Sequence, residues 1–188
     1  MREQTKKITL SAMFMALGLV LPFFTGQIPQ IGKMLLPMHI PVFLCGLICG
    51  GYYGLIVGAI LPVLRYMIFG MPIIYPTGIA MAFELATYGL VAGLMYQKSR
   101  WKCIIALFKA MVTAMLAGRI VWGIVQAILL GVAGNALTLK VFISSAFINA
   151  VPGIVLQLVL IPVVMVALGK TGLVEFHSKH KKKAMHKS

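Results

Sequence analysis

The stretch CGLICGGYYGLIVGAI, Cys45–Ile60, holds two uncharged apolar runs on either side of a glycine-tyrosine turn. Followed outward, the first run begins near Met34 and the second continues to Phe69. A run of about 20 apolar residues crosses a hydrocarbon core of about 30 Å as a helix, since a helix satisfies its own backbone hydrogen bonds where no water can. The stretch therefore reads as a tight hairpin of two transmembrane helices. Gly46, Gly50, Gly54 and Gly58 recur every four residues, and small residues at that spacing let helix backbones approach one another.

The same criterion, carried along the 188 residues, yields six spans at about 8–25, 34–50, 52–69, 78–97, 103–132 and 141–168. The expected fold is an all-α integral membrane protein, a compact six-helix bundle forming one domain over 1–188, with a basic tail at 169–188. The fifth and sixth spans are long, which fits tilt or extension beyond the bilayer. The basic start and apolar core of residues 1–26 resemble a secretory signal, but no small-x-small cleavage site follows, so the segment reads as a retained first span.

Composition agrees: 61% of residues are hydrophobic and mean hydropathy is +0.99. The net charge of +14 does not point to nucleic acid, because the cations lie in gaps between apolar runs instead of sharing a face. Their distribution sets orientation, since short cytosolic loops collect Lys and Arg. Arg2, Lys6 and Lys7, then Lys98, Arg100, Lys102 and Lys109, then Lys170, Lys179, Lys181, Lys182, Lys183 and Lys187 fall on one side. Only Lys33, Arg65 and Lys140 fall on the other, with Arg119 inside the fifth span. Both termini are thus expected in the cytosol, and the tail HSKHKKKAMHKS, residues 177–188, reads as a solvated basic flank.

Ionisable groups at membrane depth are costly, and they usually face a bundle interior or a wet cavity. Glu84, in AMAFELATYG of the fourth span, is the only acidic residue in any span. Counted from Gly78 it lies about 10 Å deep; Asn149, counted from Val141, lies about 12 Å deep, and Arg119 about 20 Å from the outer end of its helix. His39 and Arg65 fall near the outer ends of the second and third spans. The expectation is a substrate pocket in the outer half, lined by His39, Arg65, Glu84, Arg119 and Asn149, with Pro37, Pro41, Pro72, Tyr75 and Pro76 shaping its mouth. An excess of positive charge there suits an anionic or polar solute.

Catalysis is not expected. The chain has no Asp, no cluster of acidic or imidazole groups of the kind metal catalysis needs, no base beside a serine or cysteine nucleophile, and no Walker-type phosphate loop. No cofactor or metal is called for. Cys45 and Cys49, one helical turn apart, read as small packing residues, and Cys103 lies beside a basic loop.

Taken together, the basic N-terminus running into TLSAMFMALGLVLPF (Thr9–Phe23), the hairpin CGLICGGYYGLIVGAI and PTGIAMAFELATYGLVAGLMY (Pro76–Tyr96) resemble the substrate-binding S components of energy-coupling factor vitamin transporters. The resemblance covers nearly the whole chain and implies a bacterial plasma-membrane protein. It also implies that a vitamin or precursor is captured at the outer face and delivered to a transmembrane T component driven by two ATPase subunits, through toppling of the S component in the membrane. In that family an alanine-x-x-x-alanine face on the first span docks on the T component; Ala12 and Ala16 match, with Gly18 nearby. A lid would span Thr25–Lys33. Many relatives carry an acidic residue at the end of the third span, where this chain has Pro62–Arg65. Pantothenate, an anion, is the favoured substrate, beside pyridoxine-type compounds, hydroxymethylpyrimidine and folate. The rival expectation is a stand-alone proton-coupled secondary transporter using Glu84, against which stands the absence of an inverted repeat with broken helices.

Overall fold

The computed structural model describes residues 2–25, 37–99, 103–132 and 151–170. Six α-helices follow in order: α1 Arg2–Val20, extended by a 3-10 turn over Leu21–Thr25, α2 His39–Cys49, α3 Gly51–Phe69, α4 Ile79–Lys98, α5 Ile104–Val132 and α6 Val151–Lys170. No strand occurs among the described residues. Five of the helices are long and apolar enough to cross a membrane. The start of α1, the end of α4, the start of α5 and the end of α6 carry Lys6, Lys7, Lys98, Lys109 and Lys170. Alternation of direction brings these termini to one basic end.

The second span departs from expectation. Instead of running over 34–50, α2 has 11 residues, about 16 Å at 1.5 Å per residue and roughly half a hydrocarbon core. It is also the centre of the bundle, since all of its residues but Ile48 are buried. A helix covered on every side by protein need not match the bilayer's thickness. His39, expected near the outer end of a full span, is instead the first residue of this short helix, about 16 Å along its axis from the turn at Gly50.

Glycine explains how α2 fits there. A Cβ on Gly54 of α3 would come within 2.7 Å of the Gly46 Cα on α2 and 2.8 Å of the Gly89 Cα on α4, and one on Gly51 within 2.8 Å of the Leu90 carbonyl oxygen. Three backbones thus meet at one level with nothing between them, the close approach that small residues permit. Gly46, Gly54 and Gly58 serve this packing as their spacing predicts. Gly50 does not: with φ +118° it forms the turn between α2 and α3 by itself, and Gly51–Gly54 of the predicted GGYYG turn are already helical.

The outer surfaces are apolar. Ile120, Ile124 and Ile128 form an exposed stripe on α5, as do Val155, Val159 and Val163 on α6, both at i, i+4 spacing. The buried polar or charged residues include His39, Arg65, Glu84, Arg119, Gln126 and Gln157. This arrangement, apolar outside and polar groups within, suits lipid as the surrounding solvent. Cys45 and Cys49 are buried on α2 and unbridged; the Cys45 thiol donates to Ser11 Oγ at 3.5 Å, tying α2 to α1.

Candidate functional site

Glu84 organises the interior. It sits on α4 about one turn beyond the level of Gly89, facing α2 and α5, and is 2% exposed. Arg119 Nη1 of α5 reaches its Oε1 at 3.0 Å, and the Tyr88 hydroxyl, one turn further along α4, donates to the same oxygen at 2.7 Å. His39 Nε2 stands 3.9 Å away, near enough for charge to be felt and too far for a hydrogen bond. Aromatic packing fixes the cluster: Tyr88 stacks on Phe43 with ring centroids 5.1 Å apart and meets His39 at 5.3 Å. Gly118, which has no side chain, admits the Tyr88 ring against α5.

The cluster is rich in unused hydrogen-bonding capacity. Among the described residues, both ring nitrogens of His39, and Nε and Nη2 of Arg119, are buried without a hydrogen-bond partner. An unpaired buried polar group costs about 1–3 kcal/mol, more when charged, so such a set is expensive in a resting protein. Arginine offers donors alone. The arrangement suits a group that brings acceptors or negative charge.

The sequence-derived residues do not all converge. His39, Glu84 and Arg119 come together. Arg65 does not join them: its Nη1 donates to the Leu19 carbonyl at 3.2 Å and its guanidinium lies 5.6 Å from the Phe69 ring centre. It therefore fastens α3 to the end of α1; with Arg119 balanced by Glu84, the charge excess expected from two arginines does not appear among the described residues, and what remains is the unused hydrogen-bonding capacity of Arg119 and His39. Asn149 lies outside the described residues, as does the expected lid from residue 26 onward. Pro41 is buried within α2 and so does not shape a mouth, whereas the Tyr75 hydroxyl donates to the Leu129 carbonyl and holds the α3–α4 connection against α5. Ala12 and Ala16 lie exposed on α1 beside Met13 and Leu17, while Gly18 turns inward against Leu61.

Sequence reasoning missed Tyr88 and Gln126. Tyr88 stands four residues after Glu84, on the same helical face, and that spacing was its signal. Gln126, 9% exposed with an unpartnered Oε1, stands seven residues after Arg119 on the same face of α5. Among the described residues no group of three His, Cys, Asp or Glu side chains is placed to hold a metal.

Comparison with known proteins gives a family. Neither a curated protein nor a solved structure matches the chain. A family model described as "ECF transporter, substrate-specific component" matches residues 6–165, which take in all of α2–α5 and most of α1 and α6. The buried charged cluster therefore sits inside a multi-pass membrane protein that belongs to the family of ECF transporter substrate-specific components.

Proposed function

We propose that this protein is the vitamin-capturing subunit of a bacterial plasma-membrane importer, taking a small water-soluble vitamin from the outer face and passing it to a T component and two ATPase subunits. Pantothenate is the favoured substrate; pyridoxine-type compounds, hydroxymethylpyrimidine and folate are its competitors. The observation that carries the reading is the unused hydrogen-bonding capacity around Glu84: a carboxylate already held by Arg119 and Tyr88, beside guanidinium and imidazole nitrogens without a hydrogen-bond partner among the described residues. A ligand carboxylate would accept from Arg119 and from the protonated ring nitrogen of His39, with Glu84 as the acceptor that orients Arg119. Asn149 belongs to the same proposal on its place in the sequence. The basic end faces the cytosol, and the exposed Ala12 and Ala16 dock on the T component.

The ion pair of Glu84 with Arg119 disfavours a proton-coupled carrier, in which that carboxylate would have to gain and lose a proton during each cycle. Two measurements test the capture reading. Mass spectrometry of small molecules released from the purified protein should find the vitamin. Calorimetric titration in detergent should then show that Arg119→Ala weakens its binding without unfolding the chain. A purified, folded protein that neither carries nor binds any of the four vitamin classes would refute the proposal.

A further inference from the structure

Among the described residues, the interior polar groups without hydrogen-bond partners do not all lie in the Glu84 cluster. Arg119 and Gln126 are seven residues apart on α5, two helical turns, so they share one face with about 10 Å between them along the axis. Both are more than nine-tenths buried. Between them on that face Gly123 is buried and contributes no side chain. The face is also directional. At its mid-membrane end the unsatisfied atoms are Nε and Nη2 of Arg119, both donors, with the nitrogens of His39 close by; at the other end the unsatisfied atom is Oε1 of Gln126, an acceptor.

We propose that Gln126 is a second, specificity-determining substrate contact, and that the substrate lies lengthwise along α5. Its anionic end meets Arg119 and His39 at mid-membrane, and a hydroxyl or amide donor about 10 Å away meets Gln126 nearer the outer face. This rests on the vitamin-capture reading and narrows it. An apolar tail would leave Gln126 Oε1 unpaired; a ligand with a carboxylate at one end and a proton donor at the other satisfies both ends. Pantothenate has that polarity, with its carboxylate on the β-alanine end and two hydroxyls on the other.

Titration calorimetry of pantothenate into the purified full-length protein, as wild type and Gln126→Met, tests the pose. The expected result is a Kd raised about tenfold by Gln126→Met, the loss of one neutral hydrogen bond. The ligand-free melting temperature of Gln126→Met should be unchanged or higher, because an unsatisfied buried acceptor has been removed; a merely structural glutamine would show the opposite. A pantothenate analogue lacking both hydroxyls should bind wild type and Gln126→Met equally. Equal pantothenate affinity in wild type and Gln126→Met overturns the Gln126 contact and leaves vitamin capture standing. Failure of the wild type to bind pantothenate overturns that substrate assignment, and the lengthwise pose with it.

Discussion

Glu84→Gln is the most informative single change, because it removes a charge and little else. The glutamine keeps an oxygen to accept from Tyr88, so what disappears is the attraction to Arg119. At the observed 3.0 Å and an effective dielectric of about 20, Coulomb's law puts that attraction near 5.5 kcal/mol. The variant also leaves the Arg119 guanidinium buried and uncompensated, and breaking such a pair from one side costs about 3–5 kcal/mol. At roughly 2–4 °C per kcal/mol for a chain of this size, the melting temperature should fall by roughly 6–20 °C. Arg119→Met should cost a similar amount by stranding Glu84. The double variant, with both charges gone and an apolar side chain filling the space, should recover most of the loss, since buried ion pairs repay little more than their own desolvation. Thermal melts in detergent micelles, followed by tryptophan fluorescence, complete the cycle. Single losses below about 2 °C, or losses that simply add in the double variant, would refute a charge pair coupled as the geometry has it.

Arg65→Met should lower stability by about 1–2 kcal/mol through loss of the Leu19 carbonyl bond and the Phe69 ring contact, while vitamin affinity stays within about twofold; a larger affinity loss would return Arg65 to the binding site. Gly54→Ala places a Cβ against the backbones of Gly46 and Gly89 and should cost about 1–3 kcal/mol, whereas Gly131→Ala, with nothing within 4 Å, should cost nothing measurable in the same melts. Cys103 is partly exposed at the basic end and Cys45 and Cys49 are buried. A membrane-impermeant maleimide should therefore label one thiol per chain in inside-out vesicles and none in right-side-out cells, and labelling from outside would reverse the orientation.

Much of this protein is legible in its residues, and the reason is energetic. Lipid offers the backbone no hydrogen bonds, so apolar length alone marks α1, α3, α4 and α5, and the expense of burying charge singles out Glu84 and Arg119 from the sequence. Cysteine spacing and glycine periodicity likewise place Cys45, Gly46 and Gly54 in helix packing. Three things depended on tertiary structure. The shortness of α2 was hidden, because a helix wrapped by its neighbours feels protein instead of bilayer, and apolar composition cannot tell the two apart. The fate of Arg65 turned on which neighbour it met: the Leu19 carbonyl lies 46 residues away in sequence, a pairing that no local pattern encodes. Gln126 emerged only as a buried oxygen with no hydrogen-bond partner among the described residues, a property that exists solely once the chain is folded, since satisfaction is decided by what other segments bring near.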